Sequence, residues 1–193
     1  MYKRQDYTIC YYRQDFGRLN ADKDSYGVPR SKSIQTTPAH QLALAAVYYS
    51  PLQYMYWYDK PSDSQDEPEL KFFDDVYTTW DDTKVLQGEV GEFITIARRK
   101  GEEWFIGSIT NNEKRVLSVS LDFLPEGKNY IAEIYTDGDK SVKTRTKVRV
   151  STYRVSNKTK LNFCLKASGG AAVRLVPDDG NIKSVKNYKQ QRL

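Results

Sequence analysis

One histidine, two cysteines and two adjacent aspartate pairs are the groups with which this chain could do chemistry. His40 stands alone, so a histidine cluster around a metal has no second member. A Ser-His-Asp arrangement would have to use it. Thr36, Thr37 and Pro38 lie just ahead of it and mark a helix start, with Pro at a position where its missing N–H costs nothing. The expectation is a helix-terminal imidazole satisfied by local hydrogen bonds. Cys10 and Cys164 sit in unrelated contexts without zinc or disulfide spacing, and both are expected to be buried thiols. Asp74-Asp75 and Asp81-Asp82 are sequence neighbours whose side chains do not converge on one face. A general acid and its partner come from separate elements with different environments, so both doublets read as solvated loop acids. No GxGxxG or GxxxxGK[ST] is present. No residue is assigned a catalytic or metal-binding role.

Two further clusters could bind rather than react. Tyr48, Tyr49, Tyr54, Tyr56, Trp57 and Tyr58 crowd into residues 48–58 directly after an aliphatic run. Aromatic faces stack on sugars and flat ligands, but rings following a buried helix also pack the junction between two domains, and junction packing is the expectation. Lys143, Arg145, Lys147 and Arg149 alternate with apolar or small residues. On a strand they would share one face. That face would hold a polyanion or form the solvent side of an edge strand, where Lys deters aggregation. No aromatics are interleaved for base stacking, so the edge-strand reading is favoured and no nucleic acid is expected.

The elements that would position these groups divide the chain in two. Residues 13–33 are polar and hold Gly17, Gly27 and Pro29, a surface loop of unusual length. A helix follows Pro38 with Leu42, Ala43, Leu44, Ala46 and Val47, and it has so little polar face that it must be buried on several sides. Ser50-Pro51 ends or kinks it. Residues 69–76 could form two helical turns with Leu70, Phe72 and Phe73 inward, and residues 78–84 read as a connection. The hydrophobic period then becomes two. Strands are expected over 91–99, 103–110, 115–121, 130–135, 145–155, 160–165 and 171–176, with turns at Lys100-Gly101, residues 111–114, Asp137-Gly138 and Gly169-Gly170. Seven or eight such strands argue for an antiparallel sandwich. The first part has too little apolar material for its own core, so its helix needs something to pack on.

Bulk composition adds limits. With 39% hydrophobic and 28% charged residues the chain is globular but polar, and 30 Lys/Arg against 25 Asp/Glu gives a charge of +5, too small an excess to recruit nucleic acid by itself. No run approaches the roughly 18 apolar residues that span a bilayer. The opening MYKRQDYTIC has charge but no apolar core of a signal peptide. MYKRQ reads as leader or cloning sequence, and the abrupt entry into DYTICYY suggests a longer protein upstream.

Three segments carry a resemblance. DYTICYY (6–12), TTPAHQLALAAVYYSPLQYMYWYDKP (36–61) and WDDTKVLQGEVGEFITIARRKGEEWFIGSITNN (80–112) together resemble glycoside hydrolase family 97. The order of HQLAL, YSPLQ, WD-TKVL and ARRKG is specific as a set. The insertion over 13–33 is longer than the family usually has there. The resemblance implies a mainly β fold, an antiparallel β-sandwich preceded by a helix-and-loop fragment of a (β/α)8 barrel. It places the barrel fragment at 6–80, the sandwich at 81–177 and a disordered tail at 178–193. It implies the C-terminal portion of an α-glycoside hydrolase of α-glucosidase or α-galactosidase type, inactive alone because the catalytic carboxylates lie upstream. It implies calcium in the full-length enzyme, with none held by this portion, an α-linked oligosaccharide substrate, and a periplasmic or extracellular location. Asp6 and Tyr7 would lie near the C-terminal end of a late barrel strand, where barrel enzymes place their sites, and are the substrate-binding candidates. The alternative is a stand-alone carbohydrate-binding sandwich that stacks Tyr and Trp on sugar rings.

Overall fold

A computed structural model describes residues 7–8, 36–54, 67–181 and 184–189. Ten strands and two helices occur among them, in the order β1 (Tyr7–Thr8), α1 (Pro38–Val47), β2 (Gln53–Tyr54), α2 (Leu70–Asp75), β3 (Asp82–Glu89), β4 (Phe93–Lys100), β5 (Glu103–Thr110), β6 (Arg115–Ser120), β7 (Asn129–Asp137), β8 (Val148–Ser156), β9 (Lys160–Leu165) and β10 (Gly170–Pro177). Six strands build one antiparallel sheet in the order β3-β4-β5-β10-β7-β8, and β6-β9 form a two-stranded antiparallel sheet. Period-two burial decides what each face does. Ala97, Trp104, Ile106, Ala132, Ile134, Val173 and Leu175 of the large sheet meet Leu117, Val119, Leu161, Phe163 and Leu165 of the small one in the main core.

The opposite face of the large sheet is also apolar, through Phe105, Tyr135 and Ala172, and it is covered by helices. Leu42, Ala43, Ala45 and Ala46 of α1 and Phe72 and Phe73 of α2 close a second core there. The sheet is therefore the middle of three layers. The helix expected to need a partner finds one inside this chain: every residue from Ala39 to Val47 is buried. β1 and β2 pair in parallel, Tyr7 with Gln53 and Thr8 with Tyr54, with α1 between them in sequence. A parallel pair needs such a crossover.

Several expectations are corrected. Residues 82–84 belong to strand β3 rather than a connection. Its exposed flank and a register shift between Val85 and Gln87 break the alternation that would have revealed it. The basic stripe is not one strand face, because β8 begins at Val148 and Lys143, Arg145 and Lys147 lie in the β7–β8 loop. Lys147 takes a positive φ of 57°, which breaks the alternation. The two-step spacing of the cations was coincidental with a loop whose groups have separate jobs.

The stretch expected as a disordered tail is ordered where it is described. Lys186 and Tyr188 exchange backbone hydrogen bonds with Arg154 at 2.9 Å each, and the Tyr188 ring meets Tyr153 edge-on at 5.4 Å. The outer edge of β8 offers unpaired backbone groups, and this strap satisfies them. Cys164 is exposed, not buried, because β9 points Leu161, Phe163 and Leu165 inward and leaves Cys164 on the outer face. Cys10 lies outside the described residues.

Candidate functional site

The helix α1 is seated on the large sheet, against β4, β5, β7 and β10. Two glycines make the seat. A Cβ on Gly107 would come 2.5 Å from the Ala43 carbonyl oxygen, and one on Gly170 would come 2.6 Å from the Cα of His40. The helix backbone thus lies directly on β5 and β10, and its run of alanines permits the approach.

Both helix ends are tied to the sandwich. At the start the Thr37 hydroxyl accepts from the His40 N–H at 3.2 Å, and the Thr37 N–H donates to Ser168 at 3.0 Å. The His40 Nδ1 lies 3.1 Å from the Gly169 carbonyl oxygen, so Nδ1 carries the proton and donates. The expected local partner is replaced by one in the β9–β10 loop. Burial pushes this imidazole below its ordinary value, against upward pulls from the Gly169 carbonyl and Asp137. At the other end Arg98 of β4 donates from Nε to the Ala46 carbonyl at 2.6 Å and from Nη2 to the Val47 carbonyl at 3.0 Å. Its Nη1 donates to Thr83 at 3.0 Å, and the Tyr49 ring lies over it at 5.4 Å. A cation on the last carbonyls of a helix satisfies orphan acceptors and the macrodipole together. Burial pushes the guanidinium below its ordinary value.

The second helix is held by charge. Arg174 of β10 donates to Glu103 at 2.8 Å and to Asp75 at 2.7 Å, and lies 3.6 Å from Glu133. Lys71 joins the network by hydrogen bonds to Asp75 and Glu133. Just ahead of α2, the buried Glu67 accepts from Arg145 at 3.0 and 2.6 Å. Asp75 is thus a structural anion, not a solvated loop acid. Asp81 does remain exposed, accepting from the Gly101 N–H at 2.8 Å and from Lys100 at 3.1 Å, and these bonds hold its carboxyl below the usual range.

The sequence-predicted site residues meet this frame unevenly. Asp6 lies outside the described residues, and Tyr7 is placed by its backbone in β1 beside Gln53. Gln53 in turn donates to the Ala45 and Ser50 carbonyls, which sets β2 against the end of α1. Tyr49 and Tyr54 are 55% and 60% exposed, and the Tyr49 ring lies against the Arg98 guanidinium. Tyr56, Trp57 and Tyr58 lie outside the described residues. Among the described residues no three His, Cys, Asp or Glu side chains come together as metal ligands. A cleft of about 550 Å³ opens beside β3, lined by Val85, Gly88, Val90, Phe93, Ile94 and Ile109 among others. Its lining is mostly apolar but includes Glu89 and Glu92, and Glu92 is paired with Arg115 at 2.9 Å.

Sequence reasoning missed Arg98. The signal was available in phase: Ile94, Ile96 and Arg98 share one face of β4, so the arginine falls where an apolar residue is due. A strand pattern alone does not say that a helix ends above that position.

Known proteins resemble the chain throughout these elements. Residues 79–176, about half of the chain, match a family model described as "Glycosyl-hydrolase 97 C-terminal, oligomerisation". A retaining alpha-galactosidase of Bacteroides thetaiotaomicron is 34% identical over 182 residues, which cover 89% of this chain and 27% of that protein. A glycoside hydrolase family 97 enzyme from Pseudoalteromonas sp. strain K8, solved in complex with acarbose, is 36% identical with a TM-score of 0.67, covering 77% of this chain and 24% of that one. A beta-arabinopyranosidase structure shares the fold at 24% identity and a TM-score of 0.58. The chain spans about a quarter of the length of these relatives. With the sandwich matched and the helix-bearing segment continuous with it, the chain belongs to glycoside hydrolase family 97, as a C-terminal part.

Proposed function

We propose that this chain serves as the C-terminal part of an α-glycoside hydrolase of α-galactosidase or α-glucosidase type. It carries the end of the catalytic barrel on an antiparallel sandwich and is inactive by itself. The observation that carries the reading is the parallel β1–β2 pair with α1 between, seated on a domain that matches the family's C-terminal model. A two-residue parallel pair does not stand alone in water, and further parallel strands would complete it. The relatives supply the substrate class, an α-galactoside for the Bacteroides protein and acarbose bound by the Pseudoalteromonas one. Substrate contact by Asp6 and Tyr7, calcium ligation by residues the chain does not span, and a periplasmic or extracellular location belong to the same proposal. So does a role in association, which the family model's description names.

Assays of the 193-residue chain and of the intact protein on aryl α-galactosides and aryl α-glucosides test it. Turnover by the intact protein with none by the chain is expected. Turnover by the chain alone, or an intact protein inert on both, would overturn it. The exposed Tyr48, Tyr49 and Tyr54 favour a second reading as a sugar-stacking module. Saturable fluorescence quenching of the isolated chain by α-linked oligosaccharides would support that one, and a flat titration would remove it.

A further inference from the structure

The two edges of the large sheet are treated differently. β8 is strapped by the Lys186–Tyr188 backbone, whereas β3 pairs with β4 alone among the described residues. An open eight-residue edge is a template for another strand. Its side chains indicate which strand. We propose that β3 pairs antiparallel with β3 of a second copy of this chain, extending the six-stranded sheet across a two-fold axis. This deepens the association role proposed above, on which it rests, by naming its surface.

The register follows from charge and shape. Lys84 stands beside Ala97, and Glu89 beside Phe93, so both face the sandwich core side of the sheet. Five positions apart, they would point to opposite faces in a regular strand. The extra residue at the Val85/Gln87 register shift restores the phase. With Lys84 of one copy opposite Glu89 of the other, the two-fold makes two such ion pairs. The same register sets Val85 opposite Gly88 of the second copy. Both lie on the helix-covered face, beside Ile96 and Ile94 respectively. Val85 is 66% exposed, and Gly88 lines the apolar cleft. Each Val85 therefore meets the cleft mouth of the other copy, where Gly88 has no side chain to oppose it. One surface supplies both cation and anion, both projection and recess, as an isologous contact requires. Shifting the register by two residues, to place Asp82 opposite Glu89, would set like charges together.

Sedimentation of the 193-residue chain over a range of concentrations, with K84E, E89K and the K84E/E89K double variant, tests this. The expected result is a wild-type dimer whose dissociation constant rises about tenfold or more in each single variant and returns towards wild type in the charge-swapped double. Thermal melts check that the variants remain folded. Association that is indifferent to K84E and E89K would overturn the β3 surface while leaving the association role intact. A wild-type chain monomeric throughout the range would overturn both.

Discussion

Arg98 and His40 hold opposite ends of one helix by the same means, a side-chain donor aimed at carbonyl oxygen. Replacing Arg98 with Ala leaves the Ala46 and Val47 carbonyls without their buried donors and removes the cation from the helix C-terminus. The expected loss is about 2–4 kcal/mol, read as a lowered urea midpoint, and an unchanged midpoint would remove Arg98 from this role. His40 acts through pH. Its folded-state value lies below the ordinary 6.5, so the folded protein binds a proton less readily than the unfolded chain. The stability this neutral imidazole contributes is fully present above about pH 6.5 and is lost as the pH falls through the folded value. His40→Gln, which cannot take up that proton, should flatten the fall in melting temperature between about pH 7.5 and pH 5. An identical slope in the variant would place the titration elsewhere. At this scale the sequence was partly legible. Thr37 and Pro38 marked the helix start and the structure places the cap there, but the imidazole's partner lies 129 residues away. No local pattern carries that distance.

At the scale of elements, the approach of α1 to β5 and β10 decides whether the helical segment and the sandwich are one body. The Gly107 and Gly170 positions admit no Cβ without moving backbone. Gly107→Ala should lift the helix and cost about 1–3 kcal/mol, with faster amide exchange over residues 42–47 as the local signature. Exchange there that stays as slow as wild type would show that the seat tolerates the methyl. Most strands were legible because one face of each is buried and the other is not. Lys160–Leu165 was expected and found with the same bounds. β3 was missed because an edge strand carries weak alternation and this one has a bulge. The stripe from Lys143 to Arg149 shows the converse error. Period two in sequence means a shared face only where the backbone is extended, and the positive φ at Lys147 ends that condition.

Across the whole molecule, three layers share one sheet, and the chain enters from the helix side before building the sandwich. That order joins the helical segment firmly to the sandwich, because α1 is buried against the large sheet. The acids nearest the helix side are held in ion pairs, Asp75 by Arg174 and Glu67 by Arg145. The sequence by itself determined the antiparallel strands, the helix start and the family, because these depend on residue order, local backbone preference and which face is greasy. Tertiary structure alone decided what the helix rests on, that Arg98 ends it, that Tyr188 closes one sheet edge and that Cys164 faces outward. Those outcomes depend on which distant segments meet, and pairings between distant segments are set by the packing of the whole chain rather than by any local run of residues.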